Sequence, residues 1–263
     1  MHPAHTPSSV AAALAAETLT TQSPGVVSLI GRVLKFGDAD NVGADSDVWP
    51  LKTRDQWIFA SAGTLSCVSD DVADTGELTL SGYDAAGKEL SETVTLTGTT
   101  PVVTSAAFSF CLPRASYNTG SFPNAAVNET NMGNITVSRG GVGVAYIDAT
   151  RGQSLQAFYR IPATLADDTV VDHAVVYGWS AGSGNADEVI VEIDTATPGT
   201  SWRTRERVRT VGNHDTGSMW SAPENPIVGI TLPPGSLVKA HASEVGNNNG
   251  RVAARFFVAL FGA

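Results

Sequence analysis

From Glu77 to Thr97 the chain reads ELTLSGYDAAGKELSETVTLT, two runs of alternating apolar and polar residues joined by a polar turn that contains glycine. Successive side chains leave opposite faces of a strand, so Leu78 and Leu80 point one way while Thr79 and Ser81 point the other. One face is buried and the other wet, and the pair reads as a β-hairpin. The same short alternating runs, punctuated by Gly, Asn and Pro, recur almost to the C-terminus. The expected fold class is all-β, with two β-sandwich or jelly-roll-like units.

The 263 residues are enough for two such units with cores of their own. The pattern places an N-terminal arm at residues 1–25, a first β domain at 26–165 and a second at 166–263. The arm is rich in Ala, Ser, Thr and Pro and has no aromatic residue to anchor it. Its segment SSVAAALAAETL has a serine start signal and Ala-rich composition, enough for a short helix that needs a partner to dock on. In the first domain VVSLIGRVLKF reads as a strand, GDADNVGADSD as an acidic solvated loop, and Phe108, Phe110 and Leu112 as one strand face. The long polar stretch RASYNTGSFPNAAVNETNMGN reads as a contact-making surface excursion. Strands TVVDHAVVYGW, DEVIVEID, SWRTRERVRTV and RVAARFFVALFGA follow in the second domain.

Composition narrows the function classes. Charged residues are only 16% of the chain, against about 25% in ordinary soluble domains. Lysine is the scarcest charge, at Lys35, Lys52, Lys88 and Lys239, so much of the surface is small and neutral, as suits packing against other subunits. A net charge of −10 argues against a nucleic-acid coat or an anionic-membrane binder, both of which need a cationic footprint. No run approaches the roughly 18 apolar residues of a membrane span, and MHPAHTPSSV lacks the basic and apolar regions of a secretory signal. Synthesis in the cytoplasm is expected. Cys67 and Cys111 have neither CxxC nor Cys/His spacing and read as reduced strand cysteines.

Candidate sites are few. Gly178-Trp179-Ser180-Ala181-Gly182 fits the G-x-S-x-G pattern, but that elbow needs a helix directly after its serine, and SGNADEVIVEID turns into another strand. It is expected to be a Gly/Ser hairpin loop. Arg203, Arg205, Arg207 and Arg209 fall at period two, so on a strand they share a face. Glu188, Glu192 and Asp194 form a matching carboxylate row on the preceding strand, opposite Val189, Val191 and Ile193. Pairing these strands sets the two rows against each other; the alternative is that the arginines reach an acidic neighbour. The terminal strand is apolar on both faces, Phe256, Val258 and Leu260 against Phe257, Ala259 and Phe261, so it is expected to be a central or an intersubunit strand. Phe256 and Phe257 therefore join the four arginines as candidate interface residues. Trp179, Trp202 and Trp220 are the candidate platform for a glycan. His173, His214 and His241 are dispersed, and Asp38, Asp40, Asp45 and Asp47 lack the ligand order of an EF-hand, so no metal or cofactor is expected.

The string ELTLSGYDAAGKELSETVTLTGTTPVVTSAAFSF, with GNITVSRGG, GQSLQAFYRIPA and the stretch from SWRTRERVRT to PIVGITLPPGSLVKAHAS, resembles virion structural proteins of tailed bacteriophages. The resemblance covers most of residues 55–260 and rests on hairpin turns, a GTTPV corner and glycine-bounded strands, none of them a catalytic signature. It implies a non-enzymatic capsid decoration (cement) protein on the outside of the shell. The partners it implies are the major capsid protein and copies of the chain itself, as dimer or trimer. A host-recognition module on a tail or fibre, binding surface glycan, is the alternative implied.

Overall fold

The computed structural model describes residues 28–59, 61–116, 131–184, 188–210, 219–221, 229–246 and 250–262. The arm expected at 1–25 and most of the polar excursion lie outside them. The described residues contain strands and no helix. In chain order the strands are β1 (Ser28–Val42), β2 (Ser46–Asp47), β3 (Ser66–Ser69), β4 (Glu77–Tyr83), β5 (Glu89–Thr95) and β6 (Val102–Val103). β7 (Phe110–Ser116), β8 (Ile135–Arg139), β9 (Val142–Ile147), β10 (Phe158–Arg160), β11 (His173–Gly184) and β12 (Val189–Ala196) follow. The last are β13 (Arg203–Thr210), β14 (Met219–Ser221), β15 (Ile230–Leu232), β16 (Leu237–Val245) and β17 (Gly250–Gly262).

These strands form four antiparallel sheets. Sheet 1 runs β1-β17-β11-β14, with β15 also on β11; sheet 2 runs β10-β16-β12-β13, with β2 on β16; sheet 3 runs β6-β3-β8-β9; sheet 4 runs β5-β4-β7. One hydrophobic cluster joins the inner faces of sheets 1 and 2, through Val176, Phe256 and Val258 on one side and Val191, Ile193 and Ala240 on the other. A second cluster joins sheets 3 and 4, through Cys67, Ile135 and Val137 against Leu78, Leu80 and Cys111. Phe110 packs in the first cluster and Phe108 in the second, so the short segment between them is where the two cores meet.

The opening hairpin forms as its alternation dictates. Leu78 and Leu80 are fully buried, and β4 pairs with β5 from Glu77↔Thr95 to Tyr83↔Glu89. The turn is held by the Asp84 carboxylate, which accepts from the Ala86 and Lys88 amides at 2.8 and 3.0 Å. Gly87 adopts φ +81, the left-handed conformation that glycine reaches without a Cβ clash. Cys67 and Cys111 are buried free thiols, and burial pushes the Cys67 thiol up to about 12, with Glu92 adding to the effect.

The domain boundary read from the sequence differs from the pairing. β1 joins β17, β2 joins β16 and β10 joins β16, so a division at 165/166 would cut hydrogen-bonded strands apart. Sheets 1 and 2 take strands from both ends of the chain, while sheets 3 and 4 are built from residues 66–147. The cause is β17. Its two apolar faces and two polar backbone edges need a neighbour on each side, and β1 and β11 supply them. The acidic stretch also differs from its expectation: Gly37–Val42 continue β1 and Ser46–Asp47 form β2, because Asp38 pairs with Arg251 and Asp47 with the buried Lys239.

Candidate functional site

The strongest concentration of charge lies on the outer face of sheet 2. Strands β12 and β16 alternate: Val189, Val191, Ile193, Val238, Ala240 and Ala242 enter the core, which turns Glu192, Asp194, Lys239 and His241 to the other side. Cross-strand register sets Glu192 against His241 and Asp194 against Lys239. The segment of β2 and the turns after it crosses this face, anchored by Trp49 and Trp57, both buried. Trp57 stacks on Phe158 with ring centroids 4.2 Å apart.

Lys239 is 0% exposed. Its ammonium lies 2.7 Å from a carboxylate oxygen of Asp47 and 2.7 Å from one of Asp55, with the Trp202 ring 4.5 Å away as a cation–π lid. The second Asp47 oxygen accepts from Trp57 Nε1 at 3.0 Å and from the Asp55 amide at 2.8 Å. His241 spans Asp45 at 3.2 Å and Asp47 at 3.4 Å, and Arg54 ties Asp45 at 2.5 Å. Burial alone would raise the Asp47 carboxyl, but bonds from His241 and Lys239 outweigh it and hold the carboxyl below its ordinary value. Asp194 goes the other way: burial raises it, against weaker opposition from Thr204, His241 and Lys239. A buried cation so enclosed by carboxylates and an indole fastens one segment to one sheet. It leaves no opening for a substrate.

The four arginines occupy β13, at the edge of sheet 2, and pair with the row anticipated for them. Arg207 is ion-paired to Glu192, Arg209 meets Glu188 at 2.5 Å, and Arg205 Nε donates to Thr195 Oγ1 at 2.8 Å. A bulge between Ile193 and Asp194 shifts the register, which is why Asp194 faces Thr204 and Lys239 rather than Arg205. Arg203 is exposed and makes no ion pair among the described residues.

The remaining candidates fall apart spatially. Phe256 is fully buried in the first cluster and is a core residue, because its strand is central; it cannot be an interface residue as expected. Phe257, on the opposite face, is 37% exposed. Trp179 is buried in the same cluster, next to a bulge where Gly178 takes φ +60, so it presents no platform to a glycan. Trp202 is half-buried beneath Lys239 and 6.2 Å from Trp57. Trp220 lies in β14, but its side chain is outside the described residues. Ser180 stands inside β11 and its Oγ accepts from Arg255 Nε at 2.8 Å. The expected loop at 178–182 is thus strand interior, and the turn that a nucleophile elbow requires is absent from this segment.

A cleft of about 490 Å³ opens between the end of β1 and the turn after β9, lined by Asp38, Asp40, Lys52, Asp148 and Arg151 among others. Its acids are largely matched: Arg251 holds Asp38 and lies 3.5 Å from Asp40. Among the described residues no three His, Cys, Asp or Glu side chains are grouped to hold a metal ion. Sequence reasoning missed the Lys239 cluster. The alternation in LVKAHAS does put Lys239 and His241 on one strand face, but nothing local shows that residues 45–57 cover it.

The described chain is all-β and built of antiparallel sheets. No family model matches it, and no curated protein matches it. Among solved structures it is similar to "Structure of infectious bursal disease virus Gt strain", at 12% identity over 90% of this chain and 77% of that chain, with TM-score 0.21. The Gx strain of the same virus gives 10% identity, 90% and 76% coverage and TM-score 0.21. Likenesses at this level carry no argument about fold or function.

Proposed function

We propose that the protein is a non-enzymatic structural component of a tailed-phage virion, a decoration protein that binds and stabilises the exterior of the capsid shell. In this reading its two pairs of facing sheets are β-sandwich or jelly-roll units, and residues 1–25 together with the sheet surfaces contact the major capsid protein and further copies of the chain. What supports it is the resemblance in residues 55–260 and one structural observation. The ionisable groups on the outer face of sheet 2 are largely consumed by internal pairs, while the outer face of sheet 1 keeps large apolar side chains exposed. That division suits a protein whose work is to be covered by neighbours. An acidic chain is repelled by packaged nucleic acid, which favours an outer position.

The glycan-binding alternative loses its support at Trp179, which is buried, and at Trp202, which is engaged with Lys239. The test is binding to particles stripped of this protein, for the full chain and for a variant lacking residues 1–25. The full chain is expected to rebind at saturable stoichiometry and the truncated chain to stay folded and unbound. Undiminished binding of the truncated chain would remove the role given to the arm.

A further inference from the structure

We propose that the outer face of sheet 1 seats the turn between β3 and β4 of a second copy of the chain, in a head-to-tail contact. This rests on, and deepens, the reading of the protein as a self-associating shell component. On the face, Leu34 of β1, Phe257 of β17 and Tyr177 of β11 stand in one cross-strand row. Leu34 is 57% exposed and Phe257 37%, and the Tyr177 ring stacks on Phe257 at 5.9 Å. Arg32 lies two residues from Leu34 along β1 and Arg255 two residues from Phe257 along β17, on opposite sides of the row because the strands are antiparallel. Each cation therefore stands about 7 Å from the apolar row. Both arginines are exposed; Arg255 Nε donates to Ser180 Oγ at 2.8 Å, and Arg32 makes no ion pair among the described residues. Beyond Arg32 the face closes over the buried Val175, Ala259 and Phe261, so the seat is the one apolar row and its two flanking cations.

The complementary surface lies on the other pair of sheets. Asp70, Asp71 and Asp74 follow β3, and residues 131–134 pack on them: the Asp74 carboxylate accepts from the Met132 and Gly133 amides at 2.7 and 3.0 Å, and Asp70 accepts from the Asn134 amide at 2.7 Å. Asp71 accepts from the Ala73 amide at 2.8 Å. These donors are neutral, and none of the three carboxylates has an ion pair among the described residues, so the turn keeps its negative charge. Two apolar side chains flank the same acids: Val72, at 75% the most exposed large apolar side chain among the described residues, and Met132, at 48%. An apolar pair set beside acids thus matches an apolar row set between arginines. Other cations, Lys239, Arg207 and Arg251, are spent on acids of their own chain. Copies that each carry a net charge of −10 repel at large, and a local cationic seat admits an acidic turn in one orientation. Seat and turn are separate surfaces, so each copy can fill one neighbour and be filled by another, a heterologous contact that propagates into rings or rows.

Sedimentation equilibrium of the free, full-length chain tests this. The expected result is association that rises with concentration and continues past the dimer. Arg32→Glu and Asp71→Arg should each lower the association constant by about ten-fold or more, because each sets like charges together. An equal mixture of the two variants should recover the wild-type constant, since altered side then meets altered side and unaltered meets unaltered. Val72→Arg changes only a solvent-exposed side chain; it should weaken association with the urea midpoint unmoved. Wild-type association in Asp71→Arg and Val72→Arg overturns the turn as occupant. Rescue of Arg32→Glu by the wild-type chain, with Asp71→Arg without effect, means that two faces meet each other and overturns the head-to-tail contact. A wild-type chain that stays monomeric overturns the seat altogether. Particle binding is scored separately, so a chain that associates in this way but binds no particle retires the virion reading and leaves the contact standing.

Discussion

The two outer faces flanking the larger core solve opposite problems. On sheet 2 the outward positions of β12 and β16 are ionic, and residues 45–57 of the same chain neutralise and cover them, down to a lysine with no solvent contact. On sheet 1 the outward positions of β1 and β17 mix arginines, Arg32, Arg251 and Arg255, with apolar side chains, of which Leu34 and Phe257 remain exposed. Charge buried within a chain must be matched within that chain, because an unpaired buried ion costs several kcal/mol. Apolar surface can wait for a neighbour, since exposing it costs only about 25 cal/mol per Å². Sheet 2 is therefore finished by folding, while sheet 1 keeps apolar surface that, in the proposed reading, a neighbour covers.

The contrast can be broken most sharply at Asp47. Replacing it with Ala leaves Lys239 with Asp55 alone and strips the Trp57 indole of its acceptor, an expected loss of about 3–5 kcal/mol; a loss under 1 kcal/mol in urea unfolding would show that the cluster is not a fastening. The adjacent residues Phe256 and Phe257 sharpen the same point from sheet 1. Phe256→Ala should cost about 3–5 kcal/mol as a core cavity. Phe257→Ala should cost about 1 kcal/mol or less in the isolated chain while weakening self-association, measured by analytical ultracentrifugation.

Lys35 gives a smaller effect with a defined pH dependence. It lies on the core-facing side of β1, in step with Val33 and Gly37, and burial pulls its ammonium down to about 8. A lysine lowered on folding penalises the folded state fully below pH 8; the penalty shrinks as pH rises and is gone above about 10.5, the ordinary value. Lys35→Met should therefore stabilise the protein by about 3 kcal/mol at pH 7, with the gain vanishing near pH 11 in parallel melts. A constant gain across that range would assign the effect to packing instead. Smallest of all, Arg209→Ala at the exposed end of the arginine row should change stability by about 0.2–1 kcal/mol, and less in 1 M salt.

How much of this was legible in the chain depends on the range of the contact. The hairpin of β4 and β5 and the pairing of β12 with β13 were readable, because partners lie within about twenty residues and the period-two pattern fixes their faces. The central position of β17 was readable from its two apolar sides. Its partner β1 was not, since pairing Ser28 with Gly262 leaves no local signal, and the domain boundary went astray for that reason. The Lys239 cluster was hidden in the same way: Asp47 and Lys239 are ordinary polar residues in sequence, and only the fold brings them together. Trp179 was misjudged because a tryptophan beside glycines looks exposed until the strand order buries it; for Phe256 the sequence left a central and an intersubunit strand open, and the place of β17 between β1 and β11 puts it in the core.

The central claim is that assembly on a shell completes what folding leaves open, and it is tested most directly by locating the protein on intact particles by cryo-electron microscopy. The expected result is density repeated over the outside of the head lattice, with the outer face of sheet 1 covered by a neighbouring chain. Density confined to tail or fibres, or head density with that face turned to solvent, would contradict it.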